Sequence, residues 1–101
     1  MHRYLRIREV TTILHVDEAF LRSLAADDLI HIKETAEGDP VVSAEDVERA
    51  RIVRTLMEDL DVNPAGVEVI LHMRESMVAM RRQFADILEA LVEEMRRQLG
   101  R

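Results

Sequence analysis

The chain has 101 residues and a formal net charge of −6 at pH 7, with 34% charged and 48% hydrophobic residues. This length corresponds to one small domain, and the composition is typical of a charged helical protein rather than a disordered one. The absence of cysteine excludes disulfides and thiolate metal sites, and no apolar run approaches the roughly 18 residues of a membrane span. We therefore expect a cytoplasmic protein that binds no membrane, cofactor or metal.

The first third of the chain predicts two short helices. Residues 7–14 (IREVTTIL) carry apolar residues at spacings of three and four, which favours a short helix. In residues 16–30 (VDEAFLRSLAADDLI), Asp17 is a good N-cap, and the helix is expected to end near Asp27 and Asp28. Two short helices in succession have the outline of a helix-turn-helix.

The next segment predicts a hairpin and then a capped helix. In residues 31–42 (HIKETAEGDPVV), apolar and polar residues alternate before the turn Gly38-Asp39-Pro40, which favours a hairpin. Ser43 is the N-cap of the helix that follows, and Asp46 is placed to complete a capping box. Tyr4-Leu5, near the N-terminus, is too short to assign. The apolar face of the capped helix is predicted to consist of Val47, Ala50, Val53, Leu56, Met57 and Leu60.

The stretch DLDVNPAGVEVIL, residues 59–71, opens a fourth and much longer helix. Asn63 is the predicted N-cap, and Pro64 takes the first helical position, where its missing N–H costs nothing. Gly66 is either a tolerated glycine in the first turn or a place where the preceding helix crosses closely. Nothing interrupts the helical pattern until about Leu99, which gives a helix of roughly 50 Å.

The long helix carries an apolar stripe that it cannot bury alone. The stripe repeats close to every 3.5 residues, and its predicted dimer interface consists of Met77, Met80, Phe84, Ile87, Leu88, Leu91 and Met95. Burying six or seven such side chains contributes roughly 10 kcal/mol or more, which favours a second copy, most simply in a two-fold antiparallel dimer. The alternative is that the helix folds back on the rest of its own chain. The predicted division is a head over residues 1–62 and a dimerisation helix over residues 63–101.

Negative charge is concentrated in one segment. Residues 16–42 carry a net charge of −5, whereas residues 1–15 carry +2, residues 43–66 carry −3 and residues 67–101 carry none. DNA affinity comes largely from Lys and Arg that neutralise phosphates, so this segment has the wrong sign for nucleic acid. It suits a basic protein partner. A solvated surface without a binding role is the alternative explanation.

The sequence contains no catalytic pattern. There is no glycine-rich phosphate loop and no Ser-His-Asp signature, and the four histidines show no ligand spacing. Adjacent carboxylates such as Asp27-Asp28 and Glu93-Glu94 are expected on solvated helices rather than in a pocket. We expect that the protein is not an enzyme.

A helix-turn-helix, a small hairpin wing, a capped helix and DLDVNPAGVEVIL at the start of a long helix together resemble the MerR-type winged-helix superfamily. Within it, the chain is similar over almost its whole length to the CbpM-like chaperone-modulator proteins. The resemblance implies a mainly α fold, with a winged helix-turn-helix head followed by a long C-terminal helix that forms a coiled-coil dimer interface. The family often has a glycine before and after its second helix, where this chain has His15 and Asp28.

The resemblance implies two competing functions. In MerR-type regulators the second helix enters the major groove of DNA, whereas the chaperone-modulator group is implied to bind the J-domain of a DnaJ-like co-chaperone and hold it inactive. J-domains carry a basic helix, so the acidic segment favours the J-domain. The expected partner-binding residues are Asp17, Glu18, Asp27, Asp28 and Glu34. The alternative is a MerR-type DNA-binding transcriptional regulator, and a third hypothesis is an assembly protein that uses only residues 64–101.

Overall fold

The computed structural model describes residues 3–100 and has a mainly helical fold with a small sheet. Its elements, in chain order, are β1 (Tyr4–Arg6), α1 (Ile7–Leu14), α2 (Glu18–Ala26), β2 (Ile32–Glu34), β3 (Pro40–Ser43), α3 (Ala44–Arg54), a π-helical segment (Thr55–Asp59) and α4 (Pro64–Leu99). This order confirms the predicted fold class, a winged helix-turn-helix followed by a long helix. At 1.5 Å per residue, the 36 residues of α4 span about 54 Å.

The chain divides into two compact units, one up to Glu68 and one from Val69 onward. The core of the first unit collects the apolar residues of the short helices and of the sheet. Its largest fully buried side chains are Val10, Leu21, Ile30, Val42, Val53 and Val67. The second unit is the remainder of α4, in which every residue from His72 to Gly100 is exposed.

Three helices begin at the residues that the sequence predicts, because a side-chain oxygen satisfies a free N–H in the first turn of each. Oδ1 of Asp17 accepts a hydrogen bond from the backbone N–H of Phe20 at 2.8 Å. Oδ1 of Asn63 accepts from Gly66 at 2.8 Å. At the start of α3, Oγ of Ser43 accepts a hydrogen bond from the backbone N–H of Asp46 at 3.1 Å.

The predicted capping box of α3 is only half formed. The carboxylate of Asp46 does not return to its own helix start, because Oδ2 accepts a hydrogen bond from the backbone N–H of His31 at 2.7 Å. The same oxygen lies 3.4 Å from Nδ1 of His31. The hydrogen bond from His31 to Asp46 therefore links the beginning of the hairpin to α3.

The two short helices end at left-handed residues that are not glycine. His15 has φ 56° and Asp28 has φ 59°. Beyond each of them the chain closes with a hydrogen bond typical of helix C-termini, from Val16 N–H to the Thr11 carbonyl and from Leu29 N–H to the Leu24 carbonyl. His15 and Asp28, which occupy positions where the family often has glycine, therefore still adopt the left-handed backbone conformation.

The hairpin belongs to a three-stranded antiparallel sheet with the order β1-β3-β2. Val42 on the central strand is opposite Leu5 on one side and Ile32 on the other. The unassigned Tyr4-Leu5 is thus part of a strand, stabilised by residues far away in the sequence.

The helix that starts at Ser43 does not continue regularly as predicted. It widens into the π-helical segment, where Leu60 N–H donates to the carbonyl of Thr55, five residues earlier. The wider turn shifts the following residues around the helix axis. Leu60, predicted on the apolar face, is consequently 64% exposed, whereas Ala50 and Val53 are buried as expected.

Gly66 provides room for the cap of α4 itself. A Cβ atom at this position would lie 2.8 Å from Cγ1 of Val62 and 3.3 Å from Oδ1 of Asn63. The close approach is therefore to the two residues that precede Pro64, and not to the preceding helix.

We expect Asn63→Ala to lower the free energy of unfolding by about 1 kcal/mol, because the Gly66 N–H would lose its acceptor. Urea denaturation at one fixed protein concentration measures the change. Asn63→Asp retains a side-chain acceptor and is the matched control, with stability close to that of the wild type. Equal stability of Asn63→Ala and the wild type would show that the cap contributes nothing.

Candidate functional site

The five acidic residues predicted to bind a partner are all exposed, and they lie at the two ends of α2 and on the hairpin. Asp17 and Glu18 are at the start of α2, Asp27 and Asp28 follow its last residue, and Glu34 ends β2. In a winged helix these two elements form the surface that the helix-turn-helix presents to its target. The acidic residues therefore lie on the elements that a nucleic-acid reader would use.

The structure separates these acids into two groups. Asp17 is occupied as the N-cap of α2, and Glu18 accepts a hydrogen bond from Nε of Arg22 at 2.8 Å. The carboxylates of Asp27, Asp28 and Glu34 have no hydrogen-bond or ion-pair partner within residues 3–100. The latter three are the ones that can engage a partner without giving up an existing contact.

The two basic side chains of this segment are already engaged. Arg22 is paired with Glu18, and Nζ of Lys33 lies 3.3 Å from the hydroxyl of Tyr4 and 5.6 Å from the centre of its ring. Neither one compensates the carboxylates at the end of α2. Outside the segment, Nη2 of Arg6 comes within 4.0 Å of the Asp39 carboxylate. The surface of α2 and the hairpin therefore presents mainly negative charge.

A groove of about 460 Å³ lies between the C-terminal half of α2 and the hairpin. We call it the α2–hairpin groove. It brings together two of the five predicted residues, Asp28 and Glu34, whereas Asp17, Glu18 and Asp27 do not line it. Its other lining residues are Arg22, Ala25, Ile30, His31, Ile32, Gly38 and Pro40.

Sequence reasoning missed the groove, although part of its signal is present in the sequence. Arg22 and Ala25 are spaced three residues apart and so share one face of α2, and Asp28 follows shortly after the end of that helix. Nothing in the sequence shows that this face meets β2 or Pro40, because the hairpin is positioned by its pairing with β1 and by the contact between Asp46 and His31.

In the single chain, the apolar stripe of α4 is exposed to solvent. The seven residues predicted to form the dimer interface are between 46% and 67% exposed. The structure also exposes Met73, Val78 and Val92 on the same helix, which the predicted interface left out. Val78 and Val92 are two heptads apart, so they form a row of their own beside the predicted one.

The part of the chain that the structure describes shows no group of three His, Asp or Glu side chains suited to hold a metal ion. None of the helices between residues 3 and 100 combines the length and the apolar character that a membrane crossing requires. The acidic segment, with its groove, and the exposed stripe of α4 are candidate interaction surfaces.

Comparison with known proteins assigns the fold to a family. The family model for MerR HTH family regulatory proteins matches residues 5–89, which include nearly all of the sheet, the three shorter helices and most of α4. No curated protein matches the chain. The matched region contains the acidic residues of α2 and the hairpin as well as most of the exposed stripe. With its winged helix-turn-helix and its long helix within that match, the chain belongs to the MerR helix-turn-helix family of regulatory proteins.

Proposed function

We propose that this MerR-family protein is a protein-binding modulator that inhibits a DnaJ-like co-chaperone by binding its J-domain. The observation that carries the proposal is the sign of the charge on the helix-turn-helix surface. Residues 16–42, which include α2 and the hairpin, have a net charge of −5. A polyanion would be repelled by this surface, whereas a basic helix of a protein would be attracted to it.

The contacts within the surface support the same choice. A DNA-reading helix needs Arg, Lys, Asn or Gln side chains that reach base edges. Between residues 17 and 28 the only such side chain is Arg22, and its Nε is bonded to Glu18. On the hairpin, Lys33 contacts Tyr4. Both basic side chains of this surface therefore already have partners within the chain.

A second copy of the chain is the occupant that best fits the exposed stripe of α4. In an antiparallel pair that places Phe84 opposite Ile87, residues 72–82 lie beside residues 89–99 of the partner helix. These segments carry net charges of +2 and −1, so they attract each other. In a parallel pair, each segment would lie beside the same segment of the other copy, so that segments of equal net charge would repel each other. The charge pattern therefore favours the antiparallel dimer.

We expect the full-length protein to bind a DnaJ-like co-chaperone and to bind duplex DNA much more weakly, because its helix-turn-helix surface is acidic. Fluorescence anisotropy titrations with a labelled J-domain and with a labelled duplex, both at low salt, compare the two directly. Added protein should also reduce the activity of the co-chaperone. Submicromolar binding to the duplex that weakens steeply with salt, without binding to the J-domain, would instead establish a DNA-binding regulator.

A further inference from the structure

We infer that the α2–hairpin groove receives one lysine or arginine side chain from a basic helix of the protein partner. The inference rests on the proposed function and identifies the part of the acidic surface that recognises the partner. Asp28 and Glu34 are the acidic residues that line the groove, and they come from different elements. A cation in the groove therefore meets one carboxylate from the end of α2 and one from the hairpin.

The charge of the groove suits a cation even though Arg22 also lines it. Nε of Arg22 donates to Glu18 at 2.8 Å, so a carboxylate outside the groove already pairs with its positive charge. Within the described residues, the carboxylates of Asp28 and Glu34 have no such pairing. The groove consequently offers two uncompensated negative charges to an incoming side chain.

The apolar part of the lining suits the aliphatic stem of a long basic side chain. Ala25, Ile32 and Pro40 are half-buried, and Ile30 is almost completely buried. Lysine and arginine commonly lay their methylene groups along such surfaces while the charged end remains near polar groups. The volume of about 460 Å³ is enough for one such side chain, but not for a folded element.

Both carboxylates are attached to a backbone that is already fixed. Asp28 is held by the hydrogen bonds that end α2, from its own N–H to the carbonyl of Ala25 and from Leu29 N–H to the carbonyl of Leu24. Glu34 is held in the sheet opposite Pro40. Preorganised positions of this kind lose little conformational freedom on binding, which favours affinity.

A pair of double variants with equal charge changes tests the assignment. The groove variant combines Asp28→Asn with Glu34→Gln, and asparagine tolerates the left-handed backbone at position 28. The control combines Asp59→Asn with Glu58→Gln, whose exposed carboxylates lie outside α2 and the hairpin and do not line the groove. We expect the groove variant to bind a labelled J-domain about tenfold more weakly or worse, and the control within about twofold of the wild type.

The outcomes separate the groove from the proposed function. If both variants weaken binding equally, only general electrostatic attraction matters, and the groove assignment is overturned. It is also overturned if the groove variant binds the J-domain with wild-type affinity. If the wild-type protein does not bind the J-domain at all, the proposed function fails and the groove assignment falls with it. Matching circular dichroism spectra of both variants and the wild type show that the comparison is between folded proteins.

Discussion

Phe84→Glu is expected to convert the proposed dimer into a monomer. Phe84 is 63% exposed in the single chain and lies at the centre of the apolar stripe. In an antiparallel pair it faces Ile87 of the second copy, so the substitution would place two carboxylates near the two-fold axis in apolar surroundings. An unpaired charge in such a place is costly, and we expect the dimer dissociation constant to rise by about a thousandfold or more.

Sedimentation velocity over a range of protein concentrations measures the effect. Ala79→Glu is the matched control, because it adds a negative charge on the side of α4 that faces away from the stripe and should leave the dimer intact. A Phe84→Glu protein that sediments as a dimer, like the wild type, would show that this stripe is not the interface between copies.

Reversing the charge of the acidic surface is expected to abolish J-domain binding. The variant combines Asp27→Lys, Glu34→Lys and Glu37→Lys, which together change the formal net charge from −6 to zero. All three side chains are exposed, and Asp28 is left unchanged because its left-handed backbone disfavours lysine. Because the surface would then repel a basic helix, binding to a labelled J-domain should fall below detection at micromolar concentrations.

The control for this variant carries the same total charge elsewhere. Glu58→Lys, Asp59→Lys and Glu68→Lys also bring the net charge to zero, but they lie outside α2 and the hairpin. We expect this control to keep most of the J-domain affinity. Equal loss in both variants would mean that the net charge of the protein, and not the acidic surface, sets the affinity. Increased DNA binding by the first variant alone would confirm that acidic side chains prevent this helix-turn-helix from contacting DNA.

The sequence by itself determined where the helices of this protein begin. Asp17, Ser43 and Asn63 are each found as the predicted N-cap, because capping depends on a side chain and an N–H only three residues apart. The same local information predicted the hairpin, the extent of α4 and the acidic character of residues 16–42. The partner-binding and dimer residues placed on these elements remain predictions.

Only the tertiary structure decided which residues come together between the elements. The pairing of β1 with β3, the use of Asp46 by His31 and the meeting of Asp28 with Glu34 in one groove all join residues that are distant in the sequence. The widened turn at Thr55–Asp59 likewise moved Leu60 off the apolar face. Such features depend on packing between elements, for which the spacing of residues along a single helix or strand carries no signal.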